Sequence, residues 1–195
     1  MVAIVDYGVG NLFSLKSSFA AIGAETVVTG DPAVLRSADK IILPGVGAFE
    51  DAAQKLRESG LDAVLKQLAA EGKPLMGICL GMQLLFEKSF EYGEHEGLGL
   101  IPGQVVPMAV VIPKELKIPH IGWNGLRFRR ETPLFRHIKR ATACILCIPI
   151  TPWGATIMWW QIRNTVPCSQ QLWPGATCTA ASSIRKKAAM WAWRS

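Results

Sequence analysis

Residues 74–83 read PLMGICLGMQ, and their reading decides the fold. The stretch opens as a nearly continuous apolar run, as a strand covered on both faces does, and passes straight into the helix-forming letters GMQLLFEKS. Gly77 stands two residues before Cys79 and Gly81 two after. The spacing G-x-C-x-G between a strand and a helix is the cysteine form of a nucleophile elbow, in which small flanking residues permit a sharp turn that holds the nucleophile exposed and strained. The helix beyond such a turn would aim its first N–H groups and the positive end of its dipole at the sulfur. That favours the thiolate and offers the Leu80 amide to an oxyanion. Spacing alone leaves a rival open, a core cysteine on an apolar strand.

Upstream, strands and helices alternate. VAIVDYG is a short apolar run closed by a glycine, and Leu12, Leu15, Phe19 and Ile22 follow at helical spacing until Gly23. AETVVTG and KIILPGVG supply two more strands, and between them DPAVLRSAD has a helix start with Asp31 as cap and Pro32 in the first turn. DAAQKLRESGLDAVLKQLAAEG is helical with a break at Gly60. The order predicts an α/β protein with a doubly wound, mostly parallel sheet and flanking helices, whose ligands bind at the carboxyl ends of the strands. Beyond residue 97, GLGLIPGQVVPM and PHIGWNGLRF read as shorter antiparallel strands or loops.

A length of 195 residues suits one well-buried domain, and with 50% hydrophobic and 18% charged residues the chain is a folding one. MVAIVDYGVG lacks the basic and apolar regions of a secretory leader, which predicts a cytoplasmic protein. The net charge of +6 is concentrated at one end: residues 141–195 hold five basic residues and no acid, with four of the five cysteines and six of the seven tryptophans. Such a break inside one domain divides the chain into a regular part, 1–140, and an aberrant tail, 141–195.

GICLGMQ resembles the motif of class I glutamine amidotransferases, and PGVG at 44–47 resembles their oxyanion strand. DYGVGNLFSLKSS at 6–18 and PHIGWN at 119–124 are similar to one family, the glutaminase subunit of imidazole glycerol phosphate synthase in histidine biosynthesis; the likeness runs from Val2 to about Arg140. The resemblance implies that Cys79 attacks the side-chain amide of glutamine and that Leu80, Gly45, Val46 and Gly47 receive the oxyanion on backbone N–H groups. It implies that Gln83 and Glu91 hold the substrate. It also implies a partner, the cyclase (β/α)8-barrel subunit, which takes up the ammonia and is met by Asn11 and Trp123 in a heterodimer. No cofactor and no metal are implied. Read without the resemblance, Gln83 is a helix-surface amide, Glu91 a solvated loop carboxylate and Trp123 as much a core residue as an anchor.

A thiol at its ordinary pKa needs a neighbouring base. Family members supply it from an FHPE stretch near the C-terminus, which this chain lacks. His95, His120 and His137 read as ordinary loop or surface histidines. The tail accounts for the loss when its residues are read as codons displaced by one base. ASSIRKKAAMWAWRS then spells QFHPEKSGDVGLA, and ITPWGATIMWWQIRNTVP spells YYAVGCDDYVVADTEYGA. Most bases are fixed by the residues present, so a chance match of that length is hard to obtain. A frameshift near residues 140–141 is expected, with Ile184 and Lys186 where the triad histidine and glutamate are lost, a disrupted C-terminal part of the sheet, and a chain that is inactive as it stands.

Two other functions compete with the glutaminase. One is an interaction module that still docks on the cyclase without catalysis. The other is a basic nucleic-acid-binding or membrane-binding protein using its tail, suggested by RKKAAMWAWR and the uncharged run 141–162. Pro149, Pro152 and Gly154 interrupt that run, Cys144 and Cys147 have no second CxxC to complete a zinc site, and Phe13 stands where a GxGxxG begun at Gly8 needs its last glycine. Neither nucleic acid nor membrane is therefore an expected partner.

Overall fold

The structure is a computed structural model and describes residues 1–111, 114–115, 118, 120–125, 143–148, 150–153 and 178–181. Its centre is a five-stranded sheet in the order β11-β4-β3-β1-β2. β1 (Val2–Val5), β2 (Thr26–Thr29), β3 (Lys40–Leu43), β4 (Leu75–Ile78) and β11 (Cys178–Ala181) all run parallel. Because β1, β3 and β4 are covered on both faces, alternate residues serve two cores. Val2, Ile4, Ile42 and Met76 pack with Phe19 of α1 (Leu12–Ala20) on one side. Ala3, Val5, Ile41, Leu43 and Leu75 pack on the other against Leu35 of α2 (Pro32–Ser37), Phe49 and Leu56 of α3 (Phe49–Glu58), and Leu65 and Leu68 of α4 (Leu61–Ala70).

The helix boundaries follow their local chemistry. Asn11 Oδ1 accepts from the Ser14 N–H at 3.1 Å and opens α1; Asp31 Oδ1 accepts from the Ala33 N–H at 2.8 Å and opens α2, with Pro32 at its first position. Gly60, at φ 70°, separates α3 from α4 as the helical break predicts. After β1 the chain lays β2 on one side, then crosses to place β3 on the other. The carboxyl ends of β1 and β3 therefore flank the crevice where the winding reverses, the place where such sheets bind ligands.

Two expectations change. The helix read through GMQLLFEKS stops early: α5 is only Leu80–Gln83, and Phe86–Ser89 forms strand β5. A second sheet captures these residues, in the order β10-β7-β5-β6, where β6 is His95–Glu96, β7 is Ile101–Pro107 and β10 is Ile150–Trp153. Phe86 and Ser89 are buried while Glu87 and Lys88 face solvent; the strict alternation of a strand is broken here because the register with β7 shifts between Phe86 and Lys88. β7 runs parallel to β5 and antiparallel to β10, so the region past residue 97 is not wholly antiparallel. A one-turn helix, α6 (Met108–Val111), follows β7.

The expected disruption of the tail does not reach its backbone at three places. β9 (Ala143–Ile148) pairs antiparallel with β8 (His120–Gly125), β10 pairs with β7, and β11 pairs with β4. Pro152 is accommodated because β10 is an edge strand, where a missing N–H costs no ladder bond. Among the described residues no helix is long and apolar enough to cross a membrane.

Candidate active site

Cys79 sits between β4 and α5 at φ 56°, ψ −121°. Residues with a Cβ rarely occupy this region, and such strain persists only where the surroundings over-determine it. Its carbonyl accepts from the N–H of Met82 at 2.9 Å and of Gln83 at 3.3 Å, which closes the single turn of α5. The Cys79 side chain is half-buried, whereas Leu80, Gly81 and Met82 behind it are buried. The short helix limits electrostatic support for a thiolate to the N–H groups of one turn, less than a longer helix would supply.

The glycines around the cysteine are required by backbone contact. A Cβ on Gly77 would lie 2.6 Å from both Gly81 O and Met82 N. A Cβ on Gly81 would strike Leu43 O and stand 2.7 Å from Leu43 C and 2.8 Å from Pro44 C. One on Gly45 would stand 2.5 Å from Gly81 N and 2.9 Å from Leu80 Cβ. These positions interlock, so the elbow and the turn leaving β3 are pressed main chain to main chain. The structure thus brings Cys79, Leu80 and Gly45 into one site. Val46 is 52% exposed and Gly47 adopts φ 91°. Among the described residues, no carbonyl accepts from the N–H of Gly45, Val46 or Gly47.

Gln83 ends α5, half-buried. Glu91 is not the solvated carboxylate that its loop suggests: the Phe49 N–H at the start of α3 donates to its Oε2 at 2.8 Å. A carboxylate there meets one of the donors that a helix N-terminus leaves without an intrahelical partner. Glu91 is thereby tied to the helix that begins just beyond Gly47. His95, expected on a loop, lies in β6 opposite Ser89, with its side chain 16% exposed and Nε2 3.7 Å from Glu50 Oε2. Asn11 is exposed as well as capping α1. The backbone of Trp123 lies in β8 opposite Ile145, and that of His120 opposite Ile148. His137, Ile184 and Lys186 lie outside the described residues.

One residue of the site escaped the sequence reading. Tyr7, just past β1, is 6% exposed, and its hydroxyl donates to the Pro44 carbonyl at 2.7 Å; burial raises its pKa above the ordinary tyrosine range. The available signal was its place in DYG at the carboxyl end of β1, beside the reversal of the sheet.

A parallel α/β sheet with a cysteine on a strand-to-helix turn, apposed to a glycine turn from the neighbouring strand, has the backbone geometry of a nucleophile elbow. Residues 4–112 match the model of the CobB/CobQ-like glutamine amidotransferase domain. The chain is 57% identical over 136 residues to imidazole glycerol phosphate synthase subunit HisH of Sulfurimonas denitrificans, a match covering 69% of this chain and 65% of the relative. It is 48% identical over 145 residues to the HisH subunit of Bacillus licheniformis, covering 73% and 68%. The chain belongs to the family of HisH glutamine amidotransferase subunits of imidazole glycerol phosphate synthase. It spans about 65% of the length of the first curated relatives it matches. Its fold is that of a solved glutamine amidotransferase, with a TM-score of 0.58 at 19% identity over 75% of this chain and 71% of the other. PurLQS of Thermotoga maritima shares the fold at a TM-score of 0.52 and 20% identity, over 83% and 70%.

Proposed function

We propose that this chain carries the glutamine-cleaving half of an imidazole glycerol phosphate synthase: glutamine is hydrolysed to glutamate, and its ammonia passes to a cyclase subunit in histidine biosynthesis. The observation that carries the reading is Cys79, held at φ 56° on the elbow with the Gly45 turn pressed against it. The Cys79 thiolate adds to the side-chain amide carbon, and the amide C–N bond then breaks to leave a glutamyl thioester that water cleaves. The oxyanion lies on N–H groups of Leu80 and the Gly45–Val46–Gly47 turn, amides that no described carbonyl occupies in the latter case. Gln83 and Glu91 hold the substrate, and Asn11 and Trp123 meet the cyclase.

Residues 1–140 form the family-like part, and the matched lengths of 136 and 145 residues support that boundary. In 141–195 the displaced reading frame puts Ile184 and Lys186 at the triad positions. Isoleucine has no proton acceptor, and lysine is protonated at neutral pH. The chain as written therefore behaves as a docking module with a nucleophile but no family base, and its ammonia release lies several orders of magnitude below that of an intact relative. The test measures glutamine-dependent ammonia release with the cyclase subunit and its ligand present. The chain as written is compared with one translated after restoring one base near codons 140–141. Restored activity that Cys79→Ala abolishes supports the reading. Steady release by the chain as written, or a repaired chain indifferent to Cys79→Ala, refutes it.

A further inference from the structure

We propose that Tyr7 is a positioning residue for the turn that follows β3: its buried hydroxyl, donating to the Pro44 carbonyl, sets the Pro44–Gly45 peptide and so the direction of the Gly45 N–H. The inference rests on the glutaminase reading for its consequence and on geometry for its substance. A peptide unit is planar, and its C=O and N–H point to opposite edges, so orienting one orients the other. Pro44 has its φ locked by its ring, whereas Gly45 has no Cβ to restrict rotation on its side. Rotation about Pro44 ψ and Gly45 φ would swing the Gly45 N–H with little local resistance. Tyr7 opposes that swing.

Two chain segments converge on this peptide. From the β1 side, Tyr7 OH lies 2.7 Å from Pro44 O, and a Cβ on Gly10 would stand 3.0 Å from Pro44 Cβ and 3.1 Å from Pro44 Cγ. From the elbow side, Gly81 abuts Leu43 and Pro44, and Gly45 abuts Leu80 and Gly81. Tyr7 and Pro44 are both buried, so turning the carbonyl away would strand a hydroxyl and a carbonyl out of reach of water. Packing alone would be served equally by phenylalanine. The hydroxyl is the part that reaches the turn, across the switch point between β1 and β3, and the turn abuts the cysteine elbow that follows the neighbouring strand β4.

The test uses the full chain, its Tyr7→Phe variant and Cys79→Ala as background. p-Nitrophenyl acetate acylates a thiolate through a tetrahedral oxyanion: sulfur bonds to the carbonyl carbon, and the C–O bond breaks with its electron pair leaving on p-nitrophenolate. Iodoacetamide alkylates the same sulfur by displacing iodide, with no oxyanion. Both adducts are read at Cys79 by mass spectrometry, and hydrogen exchange of the Gly45 and Ile41–Leu43 amides is followed by NMR. Tyr7→Phe should lower the ratio of acylation to alkylation at Cys79 about tenfold, short of the ~10²–10³ that follows removal of an oxyanion donor. It should leave alkylation unchanged and speed exchange at Gly45 but not at Ile41–Leu43. An unchanged ratio, unchanged Gly45 exchange, or exchange that rises equally along β3 would overturn the positioning role. Faster exchange confined to Gly45 in a chain whose Cys79 is never acylated leaves Tyr7 in place and overturns the nucleophile reading instead.

Discussion

Gly81→Ala puts the interlocked elbow under direct test, because helix propensity and packing predict opposite signs. Alanine in a helix is favoured over glycine by about 0.5–1 kcal/mol, so propensity alone predicts a more stable protein. The added Cβ, however, would strike Leu43 O and approach Leu43 C to 2.7 Å and Pro44 C to 2.8 Å. Carbon atoms rest at ~3.5–4.0 Å, so the overlap is roughly 1 Å and falls on main chain, where no side chain can yield. β3 cannot retreat easily, being paired with β1 on one side and β4 on the other. Overpacking of this kind costs ~1–3 kcal/mol, and rigid surroundings put it at the upper end, leaving a net loss of about 2 kcal/mol. In a chain of 195 residues that corresponds to a melting temperature lower by roughly 4–8 °C, read by far-UV circular dichroism. Gly45→Ala strains the same gap from the other side, so the double variant should lose less than the sum of the two. A Gly81→Ala protein that melts at or above the parent temperature would refute the interlock, as would strict additivity with Gly45→Ala.

Three further outcomes follow from the same geometry. Cys79→Gly removes the Cβ that makes φ 56°, ψ −121° costly and should raise stability by about 1 kcal/mol in chemical denaturation while ending modification at position 79; a loss of stability would show that the elbow is not strained. Tyr7 keeps its proton in the folded state well above the ordinary value of 10.0, so above that pH the unfolded chain sheds a proton that the native chain retains and stability falls. Its share of the slope approaches ~1.4 kcal/mol per pH unit, and urea titrations of the parent and Tyr7→Phe should diverge on the alkaline side; parallel curves would contradict burial of the phenol. Asn11→Ala removes the side-chain cap of α1 and should cost ~1 kcal/mol without any partner, whereas Asn11→Asp keeps the cap; equal stability of all three proteins would leave Asn11 with no structural role.

The corrections have a common origin. Leu84 to Ser89 has the letters of a helix, yet β6 and β7 draw Phe86–Ser89 into a sheet because ladder bonds and the burial of Phe86 outweigh local propensity. Pro152 falls in the part of the sheet expected to be disrupted, yet β10 pairs with β7; its place at the sheet edge, where proline is tolerated, is a property of topology. The letters around Glu91 leave a solvated carboxylate open beside the substrate-holding role that the resemblance implies, because its structural partner, the Phe49 N–H, is remote in sequence. Tyr7 went unnoticed for the same reason, since the carbonyl it holds belongs to another strand.

By itself the sequence determined the layered α/β order, the helix cap at Asp31, the break at Gly60, the glycine spacing around Cys79, and the point at which the chain's composition changes. Each is written in neighbouring letters: apolar runs, capping residues, glycines at fixed offsets, and charge. Tertiary structure alone decided that β1 and β3 open the crevice between them, and that Gly45, Gly77 and Gly81 are needed because main chain meets main chain there. It also joined Glu91 to the start of α3 and Tyr7 to Pro44. Those facts depend on which strands become neighbours, and neighbours in a parallel sheet are joined by long crossovers that leave no mark in local sequence.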